Sequence, residues 1–176
     1  MVQMKLKEIF GPNLIHNRVK KLGRQISWDF RDRPLVAVCV LKGAFMFYAD
    51  LVRALSIEPE TDFVRMSSYA DRTSPSGKMV FSKDMEISVR GKHVLIVEDI
   101  VDTGHSVSYL SRVLKDRGPE SVNLCALIDK HERREIQVRV DYPGFVLQQG
   151  FLVGYGLDYA ERYRNLPGIF QLIFDK

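Results

Sequence analysis

The stretch from Val94 to Ser106, Val94-Leu95-Ile96-Val97-Glu98-Asp99-Ile100-Val101-Asp102-Thr103-Gly104-His105-Ser106, constrains this chain more than any other. Four apolar residues in a row, three of them β-branched, predict a strand buried on both faces, and the amphipathic pattern after Gly104 predicts a helix. Between them the pattern leaves a loop with three carboxylates, Glu98, Asp99 and Asp102. Such a strand-loop-helix turn is where open α/β sheets hold ligands, because a helix begins with unpaired backbone N–H groups and the positive end of its dipole. Asp102, Thr103, Gly104, His105 and Ser106 therefore form a candidate anion cradle with acids just ahead of it. Phosphate suits the cradle, while hydroxyls or a metal-bound sugar suit the acids, so the expected ligand is a phosphorylated sugar. A Walker A loop would need Gly-Lys-[Ser/Thr] after a longer glycine-rich run, and a dinucleotide fingerprint would need G-x-G-x-x-G; neither is present. An acidic helix cap explains a lone Asp-Thr-Gly, but explains less well one that follows a buried strand ending in Glu98-Asp99.

A length of 176 residues is ample for one domain with a full core and short for two. The hydrophobic share of 45% and charged share of 27% fit an ordinary globular chain. No apolar run approaches a bilayer span, and Met-Val-Gln-Met-Lys-Leu-Lys lacks an apolar signal core, so a cytoplasmic setting and no membrane partner are expected. Cys39 and Cys125 fall in apolar strand-like runs and are expected to be reduced core thiols. A net charge of +4 and a pI near 9.1 suit a polyanionic small substrate as well as nucleic acid.

In chain order, Ile15, Val19, Leu22, Ile26 and Phe30 recur at helical spacing, with Lys20, Lys21 and Arg24 on the other face. Asp32-Arg33-Pro34 ends that helix, and Leu35 to Leu41 is the first buried strand. Lys42-Gly43 breaks the run before a second helical stretch, Ala44 to Leu55. Asp62 to Tyr69 reads as a strand leading into a polar, turn-rich segment, residues 71–78, with little means to pack a core. Met79 to Phe81 and Met85 to Ile87 suggest a short hairpin. Val107, Leu110 and Leu114 mark the buried side of the next helix, which stops at Gly118-Pro119, and Val122 to Ile128 is a strand. The charge run Asp129-Lys130-His131-Glu132-Arg133-Arg134 starts at the carboxyl end of that strand, on the ligand side of a parallel sheet.

The Val94 to Ser106 stretch closely resembles the phosphoribosyl pyrophosphate (PRPP) signature of type I phosphoribosyltransferases. The resemblance implies that Glu98 and Asp99 hold the ribose hydroxyls and that residues 102 to 106 wrap the 5′-phosphate. Leu41, Lys42 and Gly43 resemble the family's pyrophosphate loop, in which the Leu-Lys peptide is often cis. Ser68-Tyr69 and the polar segment after it resemble the family's flexible lid. Lys130 narrows the resemblance to the hypoxanthine-guanine branch, which places a lysine against the purine O6. Phe151-Leu152-Val153-Gly154-Tyr155-Gly156-Leu157-Asp158-Tyr159 resembles that branch's purine and metal segment. By that likeness Phe151 stacks on the base, Leu152 offers backbone groups to its edge, and Asp158 counts with the purine site and as a Mg²⁺ ligand. Arg164 reaches pyrophosphate, and Glu98 and Asp99 approach the metal through substrate or water. His105 stands where relatives vary and is expected to face solvent, while Ser106 keeps the hydroxyl of the commoner Thr.

The implied architecture is an α/β fold with a twisted, mainly parallel sheet flanked by helices. It is read as one domain, 1–176, with a core of about 11–141 and a hood from about 1–10 and 142–176. The implied reaction transfers a phosphoribosyl group from PRPP to N9 of hypoxanthine or guanine. The products are the nucleotide monophosphate and pyrophosphate, and Mg²⁺ offsets charge on the leaving group. Departure of pyrophosphate leaves positive charge on the sugar, as in glycosidic cleavage, and Asp102 can accept a proton from the base. Homodimers or homotetramers are usual in the family. The competing readings are a nucleic-acid-binding regulator of the same fold, for which interleaved aromatics are missing, and an enzyme acting on xanthine, adenine or orotate.

Overall fold

Two uninterrupted apolar runs set the centre of the sheet, and everything else packs on their faces. The computed structural model describes residues 4–69 and 78–174. In chain order the elements are β1 (Met4–Phe10), α1 (Pro12–Asp29), β2 (Leu35–Leu41), α2 (Phe45–Ala54), β3 (Glu60–Tyr69), β4 (Lys78–Lys83), β5 (His93–Val101), α3 (His105–Lys115), β6 (Ser121–Lys130), β7 (Tyr142–Leu147), β8 (Leu152–Val153) and β9 (Ile169–Phe174). β2 and β5 lie side by side and parallel at the middle of a six-stranded sheet ordered β4-β3-β2-β5-β6-β7, in which only β4 runs antiparallel to its neighbour. Both faces are covered, so Val36, Val38, Ile96 and Val97 are fully buried and the strands need no polar alternation. Each such side chain contributes about 1.5–3 kcal/mol relative to exposure.

Helix α1 buries Ile15, Val19, Leu22 and Ile26 on one face, as their spacing predicts, with α2 on the same side of the sheet. Its Arg18 reaches β7, donating to the carbonyls of Gly144 and Pro143. Helix α3 covers the opposite face through Val107, Leu110 and Leu114. A second, three-stranded sheet of order β1-β9-β8 joins the N-terminal strand to the last segment and forms the hood. Its Leu152 and Ile169 share one buried cluster with Ile15 and Leu95 of the larger layer. Cys39 and Cys125 are free and buried; burial pushes the Cys39 thiol up to about 12, with the nearby Glu98 and Asp99 adding to it.

Three boundaries differ from the sequence expectation. β5 continues past the apolar run to Val101, so Glu98 and Asp99 lie in the strand and Asp102 alone is in the loop. Pairing with β6 carries the strand on, through Glu98 with Ala126 and Val101 with Asp129. Met85 to Ile87 is not a strand, and β4 pairs back on β3 instead. The backbone N–H groups of Glu86 and Ile87 donate to the buried carboxylate of Asp62 at 2.7 and 2.8 Å, so they are satisfied without a ladder. Residues 142–147, expected in the hood, form β7 and add the sixth strand to the large sheet. The expected lid falls largely on residues 70–77, outside the described residues.

Candidate active site

The carboxyl ends of β2, β5 and β6 carry many of the residues singled out by sequence, and the last segment meets the β2 loop through Glu161 on Lys42 and Gly156 on Gly43. Leu41, Gly43, Glu98, Asp99 and Ser106 line one cleft of about 260 Å³, together with Val40, Met66 and Met79. A larger cavity of about 550 Å³ lies on the other side, between α3 and residues 137–141, and contains none of these acids. Chemistry rather than volume picks out the smaller one. The Leu41-Lys42 peptide is cis. A Cβ at Gly43 would fall 1.7 Å from Asp99 Oδ2, so any larger residue there would displace that carboxylate.

Glu98 is buried, and Asp99 beside it is partly exposed to the cleft. Burial pushes the Glu98 carboxyl well above the usual range, and the adjacent Asp99 charge raises it further. Burial also raises Asp99, offset in part by the Ile100 N–H, which donates to Oδ1 at 2.8 Å, and by the Glu98 contact and the Arg164 charge. Two carboxylates so placed ionise together only if a ligand supplies donors or positive charge.

The loop after β5 is held by main-chain geometry. Gly104 adopts φ +90°, and an added Cβ would lie 2.4 Å from the Ile136 carbonyl oxygen. Gly104 offers α3 no side-chain cap; the His105 N–H has only a long contact to Thr103 Oγ1 at 3.5 Å, so the helix start can still turn its N–H groups to an anion. The Thr103 carbonyl accepts from the N–H groups of Glu135 and Ile136 at 3.0 and 2.9 Å. Beneath it sits Arg134, whose side chain is 7% exposed. Its guanidinium donates to the carbonyls of Asp102, Val101 and Lys130 at 2.8 to 2.9 Å and to Asp129 Oδ1 at 2.6 Å. Sequence reasoning left Arg134 in a charge run; no periodicity marks a cation whose partners are carbonyls. His105 is half exposed, yet its Nε2 lies 2.7 Å from Glu135 Oε2, so it meets a carboxylate as well as solvent.

On the other flank β6 ends at Lys130, which is only 6% exposed. Its ammonium lies 3.3 Å from Glu132 Oε2 and 3.7 Å from Asp102 Oδ1. Phe151 is 46% exposed and meets Tyr159 and Phe174 edge to face, so it is not a core aromatic. Leu152 begins the hood's edge strand β8, whose backbone pairs with β9 on one side only.

The hood loop carries a chain of charges. Arg164 donates to the Gly156 carbonyl at 2.7 Å and contacts Asp158 Oδ1 at 2.9 Å and Glu161 Oε2 at 3.2 Å. Glu161 Oε1 in turn lies 3.0 Å from Lys42 Nζ. Lys42 first and Arg164 second hold the Glu161 carboxyl below the usual range. Sequence reasoning singled out Lys42, Asp158 and Arg164 but not Glu161. Among the described residues, two buried side-chain atoms lack any hydrogen bond, Asp102 Oδ1 and Arg164 Nε, and both belong to this site. Buried polar atoms are rarely left unpaired, so each marks a place for a ligand group. Among the described residues no cluster of three or more acids, histidines or cysteines could hold a metal by itself. Ser68 and Tyr69 end β3, opposite Met79 and Lys78.

Residues 7–160 match the family described as Phosphoribosyl transferase domain. The hypoxanthine phosphoribosyltransferase of Escherichia coli K12 is 44% identical over 161 residues, 90% of each chain. The bifunctional protein TilS/HprT of Listeria monocytogenes is 42% identical over 163 residues, 93% of this chain; the chain spans about a quarter (25%) of that protein's length. Among solved structures, a hypoxanthine phosphoribosyltransferase from Staphylococcus aureus superposes with a TM-score of 0.90 at 38% identity, covering 95% of this chain and 91% of its own. A hypoxanthine-guanine phosphoribosyltransferase from Bacillus anthracis gives 0.90 at 37% identity, with 97% and 99% covered. The chain therefore belongs to the phosphoribosyl transferase domain family, on the branch that holds the hypoxanthine phosphoribosyltransferases.

Proposed function

We propose that the protein transfers the phosphoribosyl group of PRPP to N9 of hypoxanthine or guanine, yielding the nucleotide monophosphate and pyrophosphate in purine salvage. The observation that carries this reading is the buried Lys130 ammonium 3.7 Å from Asp102 Oδ1, a buried oxygen that accepts no hydrogen bond. A 6-oxopurine carries an acceptor, O6, beside N7, which bears a proton in one tautomer. Lys130 and Asp102 present a donor beside an acceptor, the complementary pair. As N9 attacks C1 of the ribose and the bond to pyrophosphate breaks, the N7 proton passes to Asp102. Phe151 stacks on the base, and Leu152 at the open edge of β8 meets its rim.

The other assignments follow from the surroundings of each group. The backbone N–H groups at residues 103–106 and the Ser106 hydroxyl take the 5′-phosphate. The Glu98 and Asp99 pair accepts from the two ribose hydroxyls, whose donors favour the ionised form that burial disfavours. Lys42 and Arg164, with the backbone of Leu41 and Gly43, take pyrophosphate. Asp158, whose carboxylate already meets Arg164 and the Glu161 N–H, can supply one ligand to an ion that keeps most of its shell as substrate oxygens and water. It would hold Mg²⁺ there with PRPP, and the ion would offset charge on the leaving group. A lid at Ser68 and Tyr69 is proposed on resemblance. The shared buried cluster favours one domain; a homodimer or homotetramer and a cytoplasmic setting complete the reading. No helix among the described residues is long and apolar enough to cross a membrane.

A panel of hypoxanthine, guanine, xanthine, adenine and orotate with PRPP and Mg²⁺ tests the substrate. Lys130 has no acceptor for the amino group of adenine, so kcat/KM for adenine should lie roughly 10⁴-fold or more below that for hypoxanthine. Comparable values for the two bases would refute the assignment.

A further inference from the structure

Glu161 spans the two cations assigned to the leaving group. One carboxylate oxygen meets Lys42 from the β2 loop at 3.0 Å, and the other meets Arg164 from the hood at 3.2 Å. The contact is not an accident of a long, wandering side chain, because the backbone around it is shaped to make it. Ala160, Glu161 and Tyr163 all have positive φ, at 50°, 63° and 74°, a conformation unfavourable for residues with a Cβ and concentrated at functional sites. A tight turn closes between Tyr159 and Arg162 by paired backbone bonds of 3.1 and 3.0 Å. Within it, the Glu161 N–H donates to Asp158 Oδ2 at 2.9 Å. Arg164 keeps separate contacts with the Gly156 carbonyl and Asp158, so it stays in place if Glu161 leaves. The side chains of Glu161 and Lys42 are 65% and 44% exposed and that of Arg164 18%, so the bridge is open to exchange from Glu161 and its Lys42 end.

We propose that Glu161 is an internal counter-anion of the pyrophosphate site, a positioning residue that holds Lys42 and Arg164 together when the site is empty and gives way to pyrophosphate oxygens when PRPP binds. This rests on the reading that Lys42 and Arg164 hold pyrophosphate. A carboxylate competes for these cations with a single charge, so the more highly charged pyrophosphate displaces it on entry. The same competition weakens retention of the product and returns the cations to their starting geometry after release.

The test compares the full-length protein with Glu161→Gln, Lys42→Met and the double variant. It measures the product-inhibition constant for pyrophosphate, KM for PRPP, and the dissociation constant of the nucleotide monophosphate. Glu161→Gln should tighten pyrophosphate and lower KM for PRPP by about three- to tenfold, the range two solvent-accessible carboxylate contacts supply, and leave the monophosphate unchanged. In the Lys42→Met background the same substitution should have a smaller effect, because one of the two contested cations is gone. If Lys42→Met weakens pyrophosphate but Glu161→Gln leaves it unchanged or weaker, the counter-anion idea falls and the site assignment survives. If Lys42→Met has no effect on pyrophosphate, both fall. Glu161→Asp, one methylene shorter, keeps the charge but not the span and should give a shift in the same direction; it carries the test if the Gln variant does not fold.

Discussion

At the α3 end of the site the groups are fixed by backbone and by a buried guanidinium, whereas at the hood end they are held by a chain of side-chain ion pairs that opens to solvent at Lys42 and Glu161. Asp102 to Ser106 hang on Gly104, on the carbonyl of Thr103, and on Arg134, which joins β5, β6 and the loop through four hydrogen bonds. Lys42, Glu161, Arg164 and Asp158 form a chain of ion pairs that is most exposed at Lys42 and Glu161, 44% and 65%, and more enclosed at Arg164 and Asp158, 18% and 31%. Burial separates the two. A buried charged group without its partner costs several kcal/mol, so the α3 end cannot rearrange without unfolding locally. Exposed pairs contribute little and exchange readily. The reacting base and the 5′-phosphate are thus assigned to the rigid end, and the group that must leave is assigned to the exchangeable one.

Three substitutions would break or sharpen this contrast. The largest effect is expected from Asp102→Asn, which should lower turnover by roughly 10²- to 10⁴-fold while leaving PRPP affinity and melting temperature near those of the parent. Turnover within a few-fold of normal would remove the carboxylate from the proton transfer. Next comes Arg134→Met. It keeps the bulk of the side chain but strips Asp129 and three carbonyls of their donor, so chemical denaturation should show a loss of about 3–5 kcal/mol. A loss no greater than that of a surface arginine would mean that the α3 end is not held from beneath.

The smallest effect contrasts two carboxylates, one held by backbone and one by exposed cations. Burial would raise Asp62, but the N–H groups of Ile87, Phe63 and Glu86 outweigh it, with Lys83 helping, and the carboxyl sits below its usual range. A carboxyl depressed in the folded state binds fewer protons there than in the unfolded chain. Its stabilising contribution is therefore complete above about pH 5 and fades as the pH falls through about 4 and below. Asp62→Asn should cost about 1–3 kcal/mol at neutral pH, and the gap between variant and parent should close on acidification. Glu161→Gln should leave the melting temperature essentially unmoved at either pH. A pH-independent gap for Asp62→Asn would show that its charge is not what the three N–H groups need.

Most of the frame and much of the site could be read from the amino-acid order alone. Apolar runs such as Leu35 to Leu41 and Val94 to Val97 have to be buried on both faces, which forces a parallel sheet with helices on either side. The α1 and α3 stripes repeat at the helical period for the same reason. The stretch proposed to bind PRPP stands out because its groups are contiguous: one strand end and one helix start present them together. Tertiary structure alone decided three things. Whether Met85 to Ile87 would pair depended on Asp62, 24 and 25 residues away in sequence. The place of residues 142–147 depended on which sheet offered an open edge, and β6 did. Arg134 and Glu161 acquired their partners across separations of 32 and 119 residues. Periodicity records which face of an element meets water. It carries no information on which distant carbonyl or ammonium a polar side chain will find, because that is set only when the strand ends and the hood are brought together.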